Sequence, residues 1–134
     1  MNLELSQLYE LLAREDKKIL VGHLPEAARN YMACKHDMIH LSGVSLKHIL
    51  ERHPDVDLFE MQILPVALRL GLWIADRETN SCVSYWHKET GRFYKVSLKS
   101  AMKGTEVYVT TFHKTDQRKT RSLRNRGPVL RDHL

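Results

Sequence analysis

The sequence predicts an α+β protein, with N-terminal helices packed on one face of a four-stranded antiparallel sheet built from the second half of the chain. Three observations carry that expectation. Apolar residues of the first half recur mainly at helical spacing, whereas those after Gly71 follow the alternation of strands. Gly71 itself stands where the period changes. The β-rich stretches beyond it are separated by turn residues over intervals too short for crossover helices, which favours an antiparallel meander.

Taken in order, Leu3, Leu5, Leu8, Leu11 and Leu12 lie on one stripe, so residues 3–17 are expected to form an amphipathic helix. Residues 19–24 are a short apolar stretch, and Pro25 suits the first turn of a second helix over about 26–35. Residues 38–42 are too few to assign. Ser45 is suited to cap a helix over 46–53, which Pro54 stops. Residues 57–70 read as two short helical pieces interrupted at Leu64-Pro65, with Gly71 as the closing cap. Strands are expected at 72–77, 82–88, 92–100 and 105–114. Their turns are Glu78-Thr79-Asn80-Ser81, Glu89-Thr90-Gly91 and Ala101-Met102-Lys103-Gly104.

The chain has 134 residues, 43% hydrophobic and 28% charged, which suits one globular domain. Its two cysteines, Cys34 and Cys82, are too few for a disulfide framework and fit a reducing compartment. The first residues carry acids and amphipathic leucines rather than a basic segment before an apolar one, and no apolar run is long. Neither a Sec-type signal nor a membrane span is expected, and the cytoplasm is the expected location. Residues 1–113 hold 14 Lys+Arg and 14 Asp+Glu, while residues 114–134 hold 7 and 2, so the whole excess of +5 lies at the C-terminal end. That pattern predicts one domain over 1–113 and a basic tail over 114–134 directed at a polyanion such as nucleic acid. A solvated terminus has the same composition.

The chain lacks a G-x-x-x-x-G-K-[ST] loop, a G-x-G-x-x-G turn and a G-x-S-x-G elbow, so no nucleotide cofactor is expected. His36 and His40 stand four apart with Cys34 nearby, but no H-E-x-x-H, C-x-x-C or acidic cluster joins them, so no metal is expected. On the 46–53 helix, His53 continues the stripe of Leu46, Ile49 and Leu50 to the helix end, where the dipole favours a charged imidazole. His48 lies off that stripe. A histidine such as His53 serves equally well as a core or capping residue. On the last strand, alternation places Val107, Val109, Thr111 and His113 on one face, and Tyr108, Thr110 and Phe112 on the other. On the third strand Tyr94, Val96 and Leu98 oppose Phe93, Lys95, Ser97 and Lys99. The second of these faces is of the kind that holds phosphates and stacks a base, and also of the kind that simply meets solvent. Histidine, lysine, arginine, threonine and tyrosine without a carboxylate dyad suit metal-free RNA cleavage. That reaction takes its nucleophile from the 2′-hydroxyl and needs a base, an acid and cations.

The run I-H-L-S-G-V-S-L-K-H-I-L-E-R-H-P (39–54), followed by strands that end in E-V-Y-V-T-T-F-H (106–113), resembles phage-associated members of the barnase–EndoU–colicin–RelE superfamily of ribonucleases. The resemblance covers roughly residues 19–114. It implies helices on a four-stranded antiparallel sheet and RNA cleavage without metal or other cofactor, leaving 2′,3′-cyclic phosphate ends. Carried over by position, it implies catalysis by His53 or His48 from the helix, Lys95 from the third strand, and Thr111 and His113 from the last. Arg92, Tyr94 and Lys99, with Arg118 and Arg121 of the tail, are the expected substrate contacts. RNA is the implied partner, and some relatives are toxins paired with an immunity or antitoxin protein. The alternative is a non-catalytic module of the same fold that binds nucleic acid or protein. A third reading, a regulator docking through its leucine-striped N-terminal helix, rests on a pattern that also makes ordinary core.

Overall fold

The computed structural model describes residues 2–77 and 79–132, so Glu78 of the first expected turn and the last two residues of the basic segment lie outside it. Helix α1 (Leu5–Ala13) buries Leu8 and Leu11 and is started by a capping box between Glu4 and Gln7. It ends before the expected residue 17. The short apolar stretch that follows is a strand, β1 (Lys18–His23). After Pro25 comes α2 (Glu26–Tyr31), and the untyped residues form β2 (Met38–Ser42), antiparallel to β1.

Helix α3 (Gly43–Arg52) starts earlier than expected, because Ser42 rather than Ser45 caps it: the Ser45 N–H donates to Ser42 Oγ at 3.1 Å. Gly43 is required there, since a Cβ would come within 2.7 Å of the Leu11 and Arg14 carbonyl oxygens at the end of α1. The two short pieces are α4 (Leu58–Met61), capped by Asp57, and α5 (Leu64–Leu70), with Pro65 in its first turn. All four expected strands form: β3 (Leu72–Arg77), β4 (Asn80–His87), β5 (Arg92–Ala101) and β6 (Glu106–Thr115). They pair consecutively and antiparallel, with a short 3-10 turn, Met102–Gly104, between the last two.

The expected four-stranded antiparallel sheet is nonetheless incorrect. Seven strands form one mixed sheet in the order β1-β2-β6-β5-β4-β3-β7 among the described residues, where β7 is Val129–Arg131. The extra strands are three to six residues long, too short to show a period of their own. The pairing of β2 with β6 is parallel and spans only Ile39↔Val107 and His40↔Tyr108. The chain then turns into α3, so the second half of β6 has no strand neighbour on that side.

Nor do the helices all share one face. Trp73, Val83, Tyr94, Val96, Leu98, Val107, Val109 and Phe112 join Leu8, Leu46, Ile49, Leu64 and Leu68 in the main core. On the opposite side Leu72, Ile74 and Cys82 form a small cluster with Leu123 of α6 (Gln117–Arg124). The basic segment is therefore folded: α6 packs on the sheet and β7 extends it beside β3. The expected boundary after residue 113 falls inside β6. Both cysteines are free and buried. No described helix is long and apolar enough to cross a membrane.

One irregularity governs the far face. Ser97 opposes Thr111 while Leu98 opposes Val109, so Thr110 is an extra residue in β6. Its hydroxyl donates to the Ser97 carbonyl at 3.1 Å. The alternation read from sequence holds only to Val109. Past the bulge it is Phe112 that enters the core, stacked on Tyr94 with centroids 5.3 Å apart and planes 8° apart. Thr111 and His113 turn to the opposite face, beside their partners Ser97 and Lys95.

Ending the chain after Thr115 would uncover Leu72, Ile74 and Cys82 and leave β3 as an edge. We expect such a truncation to lower the melting temperature by more than about 5 °C in a domain of this size. An unchanged melting curve would show that α6 and β7 contribute nothing to the fold.

Candidate functional site

His53 closes α3 as its C-cap, with φ −125° and ψ 72°. Its N–H donates to the Ile49 carbonyl and its own carbonyl accepts from Val56, both at 2.9 Å. The ring leaves the apolar stripe and lies half-buried against His113, with centroids 4.8 Å apart and planes 25° apart. Two histidines far apart in sequence are thus stacked where the helix runs past the strand-free edge of β6. Neither ring nitrogen of His53 has a hydrogen-bond partner among the described residues.

The turn carrying His53 is fastened to the end of β6. Lys114 Nζ donates to the Asp55 carbonyl at 2.7 Å and pairs with Glu60 at 3.3 Å. Glu60 in turn accepts from the hydroxyl of the buried Tyr94 at 2.7 Å. These contacts tie the position of His53 to the core.

His113 Nδ1 lies 3.0 Å from the Lys114 carbonyl. A carbonyl only accepts, so Nδ1 carries the proton and Nε2 is left free for chemistry. Burial, and then the nearby positive charge of His113, push the His53 imidazole below its ordinary pKa, with the Asp55 carboxylate opposing them. His53 is therefore biased toward its neutral, proton-accepting form. The helix dipole alone favours the opposite, charged form.

Lys95 sits opposite His113 and Ser97 opposite Thr111 across β5 and β6. Lys95 is half-buried and has no ion-pair partner among the described residues. Above this pair α6 completes a cavity of about 170 Å³, lined by Lys95, His113, Thr115, Lys119, Ser122, Leu123 and Arg126. The register of α6 follows from its contacts. Asp116 caps it by accepting the Lys119 N–H at 2.8 Å, Thr120 Oγ1 meets Ser84 Oγ at 2.9 Å, and Leu123 is buried. Among the described residues, four basic side chains and two hydroxyls thus surround the cavity, and no carboxylate is in its lining. Arg126 also reaches Asp76 at 3.7 Å.

Of the residues singled out by sequence, His53 stacks on His113, Lys95 pairs across the strands with His113, and Thr111 stands two residues before His113 in β6; His53 and Thr111 do not line the cavity. His48 is exposed and influences His53 only through its charge. Arg92 is exposed at the start of β5, opposite His87, and does not line the cavity. Tyr94 cannot stack a base, because it is wholly buried against Phe112. Lys99 belongs to a separate cavity of about 340 Å³ with Ser42, Ser45, Tyr108 and Thr110. Arg118 and Arg121 are exposed and do not line the histidine cavity; Lys119 and Arg126 do. The signal for those two was their seven-residue spacing around Leu123, the only buried residue of α6. Among the described residues, no group of three or more His, Cys, Asp or Glu is placed to hold a metal ion, so Cys34, His36 and His40 do not converge.

The sequence matches no family model, and neither a curated protein nor a solved structure matches it significantly.

In an NMR titration, His53 is expected to lose its proton at a lower pH than an unhindered histidine, whose pKa is about 6.5. Replacing His113 with Asn removes a neighbouring positive charge, so the His53 midpoint should rise. A midpoint that stays put in His113→Asn would show that the two rings do not interact.

Proposed function

We propose that this protein is a metal-independent endoribonuclease, related to the barnase–EndoU–colicin–RelE ribonucleases that residues 39–54 and 106–113 resemble. The observation that carries the reading is the stacked His53–His113 pair beside a small cavity ringed by Lys95, Lys119 and Arg126. Such a site offers what RNA cleavage needs: two imidazoles to take and give a proton, and fixed positive charge for the phosphorane.

In this mechanism neutral His53 takes the proton of the 2′-hydroxyl, and the 2′-oxygen bonds to phosphorus. Protonated His113 gives its Nε2 proton to the 5′-oxygen as the P–O5′ bond breaks. The products are a 2′,3′-cyclic phosphate and a free 5′-hydroxyl. Lys95, with Lys119 from α6 and Arg126 just beyond it, balances the charge that gathers on the non-bridging oxygens, and Thr111 orients the phosphate from beside Ser97. Lys114 acts as a positioning residue, because it holds the His53 turn and lies outside the lining of the cavity.

Purified protein incubated with labelled total RNA is expected to cleave it equally well with and without EDTA. His53→Ala and His113→Ala should each reduce the rate by at least about 100-fold, with circular dichroism and melting temperature near those of the parent. An inactive parent that still binds RNA would replace this reading with that of a binding module. Loss of activity with chelator, restored by zinc, would sink the mechanism.

Binding can be read separately on an RNA whose 2′-hydroxyls are blocked. Lys119→Gln and Arg126→Gln should each flatten the salt dependence of affinity by roughly one unit of slope. Lys103→Gln, in the exposed turn at the other end of β5, should leave the slope nearly unchanged. Equal effects at all three positions would assign binding to net charge and not to the cavity.

A further inference from the structure

A larger cavity, of about 530 Å³, shares no residue with the histidine site. It opens where the edge strands β1 and β7 both approach α5. Val21, Leu24 and Pro65 supply apolar walls, and Arg69 and Arg131 supply the charge, with no carboxylate of the described residues in the lining.

Arg131 is held rigidly. Its Nη2 donates to the carbonyls of Leu68 at 3.1 Å and Gly71 at 3.2 Å, and its guanidinium lies 5.9 Å from the centre of the Trp73 ring. Among the described residues its Nε, sealed from solvent, has no partner, and Nη1 makes no hydrogen bond either. A fixed guanidinium whose Nη1 donors are unused at a cavity wall is an arrangement that an anion completes. Arg69 is exposed at the mouth and has no ion-pair partner among the described residues. His23, at the rim, is already engaged with Asp37 at 3.4 Å.

We infer that this cavity is a binding site for a small organic phosphate, a dianionic phosphate monoester carried on an apolar body. Two cations match the charge of the monoester, the apolar walls match the body, and the volume is that of an ordinary small-molecule site. Nothing in this inference depends on whether the protein cleaves RNA.

Calorimetry on the full chain with phenyl phosphate as probe tests it, with inorganic phosphate and benzoate as comparison arms. One molecule is expected to bind per chain, more tightly than either comparison compound. Arg69→Gln should weaken binding at least about tenfold, the loss of one charge-assisted hydrogen bond, and Lys119→Gln should leave it unchanged. Arg131→Met should also abolish binding in folded protein, and if that variant does not fold, Arg69→Gln alone decides. No heat at millimolar probe, equal affinity in Arg69→Gln, loss of binding in Lys119→Gln, or tighter binding of benzoate would each overturn the assignment.

Discussion

One added residue in β6 decides which side chains meet. At Thr110 the strand carries a bulge that opposes Ser97, and its hydroxyl closes onto the Ser97 carbonyl. Val107 and Val109 need one face of the strand, and Phe112 needs that same face to stack on Tyr94. An unbroken alternation cannot satisfy all three, because Phe112 would point away from the core. The bulge resolves the conflict, and the same shift turns Thr111 and His113 toward Ser97 and Lys95. Packing on one face thus dictates the polar constellation on the other.

The rest of the candidate site depends on that shift through two supports. From one side α3 runs along the stretch of β6 that β2 leaves unpaired and brings His53 against His113. From the other, α6 lays Lys119 and Arg126 across Lys95. Tyr94, Glu60 and Lys114 connect the first support to the core, and Leu123 and Thr120 connect the second to the sheet.

What could be read from sequence followed the strength of each local signal. The four long strands, the paired short helices around Leu64-Pro65 and the cap at Gly71 carry period or turn chemistry of their own, and all are present. Strands β1, β2 and β7 are too short to do so, and their existence depends on partners distant in the chain. Residue type and resemblance single out His53, His113, Lys95 and Thr111; the first two stack and Lys95 pairs with His113, while His53 and Thr111 stay outside the cavity lining. The geometry offered for them was wrong, since His113 was assigned to the Val109 face and His53 to the apolar stripe. A bulge has no reliable mark in one sequence, because Thr110 and Thr111 suit either side of a strand. Counting charge found the basic segment but could not show that Leu123 anchors it, which is what separates Lys119 and Arg126 from Arg118 and Arg121.

The link between the two histidines also has a temporal side. The contact that holds them, Lys114 to the Asp55 carbonyl, joins positions 59 residues apart, and the β2–β6 ladder beside it is the parallel pairing of the sheet. Contacts of such long range close late, after the local hairpins of β3 to β6 have formed. A chain whose β5–β6 hairpin has formed but whose α3 has not docked therefore holds Lys95 beside His113 without His53. Whatever chemistry the pair performs is withheld from the nascent and the partly folded chain alike, and begins only when the last stretch of sheet has closed.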